Sequence, residues 1–73
     1  VYNVSNGERF STYVIRGEKG SCQVGVFGAA GRKAKMGDTI IIAAYAYLQD
    51  SEVGSFTPRI VMMEEGNRIA GIK

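Results

Sequence analysis

The chain has 73 residues, 45% of them hydrophobic, a formal net charge of +2 and no histidine. That length allows one small domain whose core is only marginally able to stand alone, and the apolar fraction excludes a disordered chain. So small a charge does not imply a nucleic-acid partner, the cluster of Arg32, Lys33 and Lys35 reading as a solvated surface, and none is expected.

In chain order, β-branched and aromatic residues predict strands over residues 1–4, 10–16, 22–27, 39–48, 59–64 and 68–72. The intervening turns fall at Ser5, Asn6 and Gly7, at residues 17–20, and at Glu65, Gly66 and Asn67, where Gly and Asn tolerate positive φ. Two short segments carry helical signals. Residues 28–35 are rich in Ala with polar residues, and Asp50 is placed to cap a turn running through residues 52–56, which Pro58 keeps from continuing. The expected class is therefore all-β with short helices, residues 1–73 forming a single domain.

Cys22 is the only cysteine, so neither an internal disulfide nor a cysteine-based zinc site is available, which fits a reducing cytoplasm. Residues 40–48, the longest apolar run, are too short to cross a bilayer as a helix, and no signal-peptide pattern opens the chain, so no membrane partner is expected. Ile40 to Ala44 are apolar without alternation, which predicts a strand covered on both faces. With so few residues to supply that cover, apolar surface is expected to be buried against a further segment or neighbouring subunits.

The residues most able to carry chemistry lie early. On a regular strand Arg9 and Tyr13 project to one side, with Ser11 between them. A guanidinium can form a two-pronged pair with a carboxylate, and a phenol with an ordinary pKa near 10 is a proton donor at neutral pH. By themselves, a strand arginine in a modest salt bridge and a tyrosine packed by its ring fit these positions as well. Thr12 on that strand points away from both, so a part in the same site needs a bulge or a second wall. Gly28, Ala29 and Ala30 form a small-residue turn into helical sequence, suited either to open backbone N–H groups or to close packing on a strand.

Asn6-Gly7-Glu8-Arg9-Phe10-Ser11-Thr12-Tyr13, then Gly28-Ala29-Ala30, then Gly37-Asp38-Thr39-Ile40-Ile41-Ile42-Ala43 recur in order with the spacing of a known family. The set resembles the pyruvoyl-dependent L-aspartate α-decarboxylases, which make β-alanine for pantothenate biosynthesis. The resemblance implies a double-psi β-barrel assembled as a homotetramer, with Gly37-Asp38 as the glycine-aspartate turn of such barrels. It implies L-aspartate as substrate and a covalent pyruvoyl group as cofactor, made by self-cleavage at a Gly-Ser bond from a serine not present in this chain. The chain then corresponds to the C-terminal part of a small β-barrel subunit, its partner being the missing N-terminal segment that carries the cofactor.

Residue by residue, the resemblance makes Arg9 the group that holds a substrate carboxylate and Tyr13 the acid that protonates the carbanion left by carbon dioxide. Thr12 matches a threonine linked to self-processing and substrate contact. Gly28, Ala29 and Ala30 contact substrate through their backbone, and Tyr2 and Ile41 line the pocket. Gly20-Ser21 has the chemical type of the cleaved bond but falls on the turn after the Tyr13 strand, and is read as a loop. Phe27, a pocket-wall position, departs from the pattern: relatives usually carry asparagine there, whose amide can hydrogen-bond where a phenyl ring can only pack. A barrel of the same family that has lost activity and serves as a binding or assembly module is the alternative, with Phe27 as its support.

Overall fold

The computed structural model describes all 73 residues. It contains four strands in two antiparallel two-stranded sheets, β1 (Tyr2–Asn3) with β2 (Ile40–Ile41) and β3 (Val61–Glu64) with β4 (Arg68–Ile72), a 3₁₀ helix at Gly28–Arg32 and a short helix α1 (Asp50–Val53). The class is all-β with short helices. These elements fall into two compact units, one comprising Val1–Gly17 and Val24–Ala44, the other Glu18–Gln23 and Tyr45–Lys73.

In the first unit the Asn-Gly turn closes a small hairpin. The Val1 nitrogen donates to the Phe10 carbonyl at 2.7 Å, Phe10 N–H returns to the Val1 carbonyl at 3.1 Å, and Asn3 N–H reaches the Glu8 carbonyl at 2.8 Å. Gly7, at φ +80°, makes the reversal possible, because a Cβ there would be strained. On its other side β1 pairs with β2 in the register Tyr2 with Ile41 and Asn3 with Ile40.

In the second unit β3 and β4 form a hairpin in the register Val61–Ile72, Met62–Gly71, Met63–Ile69 and Glu64–Arg68. The register shifts between Met62 and Met63, so Ala70 is the extra residue of a β-bulge. Gly66 and Asn67, at φ 81° and 57°, form the turn in the left-handed conformation these residues tolerate best. Before the hairpin, Gln49 is the N-cap residue of α1, and its N–H donates to the Glu52 carboxylate at 3.1 Å.

Several predicted elements differ. Residues 10–16 and 22–27 form no strand, and of residues 39–48 only Ile40 and Ile41 are paired. A strand exists only where a ladder partner stands beside it, and within this chain none does so at those positions beyond Phe10, which still pairs with Val1. Asp50 lies inside the first turn of α1 rather than at its cap, and the helix ends at Gly54, short of Pro58. The double cover expected around Ile40 to Ala44 is also missing within the chain, since Ile42 is 65% exposed.

No hydrophobic side chain is buried. The chain exposes 7032 Å², whereas a folded monomer of this length exposes about 4,400 Å². The only buried residue is polar: Asn3, at 2% exposure.

Candidate active site

All nine residues singled out from the sequence lie in the first unit. Three of them form one row. Tyr2 is bridged to Arg9 across the hairpin and paired with Ile41 across the β1–β2 ladder. Directly opposed residues in antiparallel pairs send their side chains to the same face, so Arg9, Tyr2 and Ile41 share one surface. The Arg9 guanidinium carbon lies 4.4 Å from the centre of the Tyr2 ring, a cation–π contact that holds the planar group while leaving its charge uncompensated. The one ion pair in the chain joins Lys33 to Glu8 at 3.5 Å, so Arg9 has no carboxylate partner. It is an exposed arginine held against an aromatic ring, which suits the capture of a carboxylate from outside.

Tyr13 and Thr12 stand in the irregular, exposed stretch after Phe10, Tyr13 being 78% exposed. The strand alternation that would place Arg9 and Tyr13 on one side does not operate there, because the last pairing contacts of the hairpin are at Arg9 and Phe10. The structure therefore does not bring Tyr13 and Thr12 into the Arg9 row. Gly28, Ala29 and Ala30 form the first turn of the 3₁₀ helix, with Ala30 its partly buried member. Phe27 occupies the N-cap position in an extended conformation and supplies no side-chain cap. At 70% exposure its ring is no core residue, and it lies over the Gly25 backbone.

The residues that tie these parts together were not among those singled out. Asn3 Nδ2 donates to the Lys33 carbonyl at 3.0 Å and to Asp38 Oδ2 at 2.9 Å, while Asn3 Oδ1 accepts the N–H groups of Ser5 at 2.9 Å and Asn6 at 3.3 Å. One buried amide thus fills its donor and acceptor capacity by joining the Asn-Gly turn, the end of the 3₁₀ helix and the Gly37-Asp38 turn. Asn6 repeats the link, its Nδ2 donating to the Lys33 carbonyl at 3.0 Å. Asp38 Oδ2 also accepts the Lys35 N–H at 3.0 Å. The Asn3 hydrogen bond and then the Lys35 N–H hold the Asp38 carboxyl below its ordinary value against the opposing effect of desolvation, with the Lys35 charge adding least. A signal for Asn3 was available in the two asparagines, one just before the turn and one, Asn6, within it, where Asx side chains habitually bind nearby backbone.

Comparison with known proteins places the chain in a family. Residues 1–70 match the family described as aspartate decarboxylase. The chain is 51% identical over 73 residues to aspartate 1-decarboxylase of Ralstonia pickettii (strain 12J), covering 100% of this chain and 61% of that protein. It is similar to the enzyme of the same name from Pseudomonas fluorescens at 53% identity over 70 residues, covering 96% of this chain and 56% of that protein. Cupriavidus necator supplies a third relative of that name, 48% identical over 73 residues, with 100% of this chain and 61% of the relative covered. The chain spans about three-fifths of the length of these curated relatives.

Proposed function

The chain belongs to the aspartate decarboxylase family, and on that premise we propose that it is part of an enzyme converting L-aspartate to β-alanine in pantothenate biosynthesis. The observation that carries this reading is Arg9, exposed, stacked on Tyr2 and without a carboxylate partner, inside the segment that matches the family. Arg9 binds one substrate carboxylate by a two-pronged pair. The α-carboxylate departs as carbon dioxide, and Tyr13 donates the proton that takes its place on the α-carbon. Thr12 and the backbone of Gly28, Ala29 and Ala30 border the substrate, with Tyr2, Phe27 and Ile41 as walls.

The residues present fit a pyruvoyl group supplied from outside the chain: they offer a carboxylate grip and an exposed phenol, but no electrophilic carbonyl of their own. When bound, that group provides the electron sink that side chains cannot. The cofactor derives in this reading from a serine on an N-terminal segment not in this chain. The many exposed apolar side chains, Val14, Met36 and Tyr47 foremost, support a double-psi β-barrel completed by that segment and a homotetramer that covers the remainder. Cytoplasmic placement belongs to the same proposal. It is supported by Cys22, an exposed free thiol suited to a reducing compartment, and no helix is long and apolar enough to cross a membrane.

The test is β-alanine formation from L-aspartate by the full-length protein, with the mass of its two segments measured alongside. Turnover with a carbonyl-blocked N-terminus on one segment supports the proposal. A correctly cleaved and blocked protein that leaves L-aspartate unchanged favours instead an inactive barrel serving in binding or assembly, which the uncapped helix start at Phe27 supports.

A further inference from the structure

Lys33 connects the two stretches of chain that the proposed function assigns to the substrate. It is the C-cap residue of the 3₁₀ helix that begins with Gly28, its N–H donating to the Ala30 carbonyl at 2.9 Å. Its own carbonyl is gripped twice, by Asn3 Nδ2 and Asn6 Nδ2, each at 3.0 Å. From this fixed base the side chain reaches back across the hairpin. Its ammonium donates to the Arg9 carbonyl at 3.3 Å and lies 3.5 Å from the Glu8 carboxylate.

We propose that Lys33 is a positioning residue for Arg9: it fixes the peptide that carries the carboxylate-binding guanidinium relative to the backbone of Gly28, Ala29 and Ala30. The physical argument has two parts. Tyr2 holds the tip of Arg9, its guanidinium carbon 4.4 Å from the ring centre, and this contact does not act on the main chain. The main chain of Arg9 must then be held by something else, and the last ladder hydrogen bonds of the hairpin join Val1 and Phe10 one residue away, where the regular pairing ends. Lys33 adds a tether at the Arg9 carbonyl itself. Glu8 holds the ammonium there, since an unpaired lysine on so flexible a stem would spend its time in water.

The tether is half-exposed, so its effect is modest and confined to geometry. Lysine at this position touches no reacting atom, and the site it serves is the one proposed above, on which this inference rests.

The experiment uses the processed full-length protein and compares Lys33→Met, Lys33→Arg and Arg9→Ala, with turnover normalised to pyruvoyl content. Methionine keeps most of the stem and leaves both amide grips on the main chain in place. Should it not be recovered folded, Lys33→Gln takes its place, being neutral and too short to span the gap. The inference predicts that Lys33→Met raises KM for L-aspartate about threefold with kcat changed by less, as expected for loss of one half-exposed charged hydrogen bond. Lys33→Arg, which retains a cationic donor, restores KM. Lys33→Met with KM unchanged while Arg9→Ala loses kcat/KM overturns the inference and leaves the role of Arg9 standing. Lowered thermal stability or cleavage yield with KM intact marks Lys33 as structural only, and an Lys33→Arg variant as impaired as Lys33→Met likewise contradicts it. If Arg9→Ala is itself neutral, the reading of Arg9 falls and this inference falls with it.

Discussion

Asn3 Nδ2 lies 2.9 Å from Asp38 Oδ2, and that same carboxylate oxygen accepts the Lys35 N–H at 3.0 Å. Two residues separated by 35 positions in the chain thereby join the Asn-Gly turn, which leads into Arg9, to the Gly37-Asp38 turn, which leads into β2. Both donors favour the ionised carboxylate, and the Asp38 pKa is lowered from its ordinary 3.8 accordingly.

A group whose folded pKa is depressed adds stability that is fully present above its unfolded value and is lost as pH falls through the folded one. Asp38→Asn should therefore lower the melting temperature of the full-length protein at neutral pH, and the gap from the unsubstituted protein should close below the ordinary value of 3.8. Thermal melts of both proteins across the acid range check this. A gap that is constant with pH would remove the carboxylate charge from the account.

Asn3 is the one buried residue, and its amide serves partners in three segments. Asn3→Ala strands those partners and should destabilise the full-length protein by about 2–3 kcal/mol, measured by denaturant unfolding. Asn3→Asp keeps the acceptor for Ser5 and Asn6 but sets a second carboxylate against Asp38. Its stability should rise as pH falls, because a shared proton restores the donor. An Asn3→Asp protein that is no more stable in acid than at neutral pH would show that the Asn3–Asp38 contact carries little.

How legible the chain is follows from where pairing is local. β4 falls on the predicted residues 68–72 and the turn on Glu65, Gly66 and Asn67, because a hairpin contains its own partner strand and its own turn chemistry. The Asn-Gly turn and the helical start at Gly28 are local for the same reason. Residues 10–16 and 22–27 carry equally strong strand composition and form none, since β-branching records a readiness to pair while the partner must come from elsewhere. In the candidate site, the row of Arg9, Tyr2 and Ile41 assembles residues that family resemblance had named separately. Asn3 and Lys33 escaped because their weight comes from hydrogen bonds to backbone 24 to 30 residues away, which no residue type announces.

Tyr13→Phe separates structure from chemistry, since it keeps the ring and removes only the hydroxyl. With Tyr13 at 78% exposure in this chain, the substitution should leave folding, assembly and cleavage intact. Turnover should fall about a hundredfold or more if the phenol is the proton donor. Steady-state rates normalised to pyruvoyl content measure this, and near-normal turnover would rule the acid out.

The family resemblance leads one to expect asparagine where this chain has Phe27, and the position of Phe27 at the N-cap gives that expectation a physical form. Phe27→Asn places an acceptor where the first N–H groups of the 3₁₀ helix need one, and the exposed ring leaves little packing to lose. The full-length variant should show a higher pyruvoyl yield or a higher catalytic rate. A destabilised protein with neither gain would mean that Phe27 is covered in the assembled enzyme and packs there.

The claim on which the account turns is that Arg9, stacked on Tyr2 and free of any carboxylate within the chain, grips a carboxylate of L-aspartate. Arg9→Lys preserves the charge and discards the planar two-pronged geometry, so it tests the grip rather than the electrostatics. The most direct measurement is kcat/KM for L-aspartate in the full-length Arg9→Lys protein at matched pyruvoyl content. A loss of about tenfold or more is the predicted result, and an unchanged kcat/KM would contradict it, leaving Arg9 an ordinary surface residue.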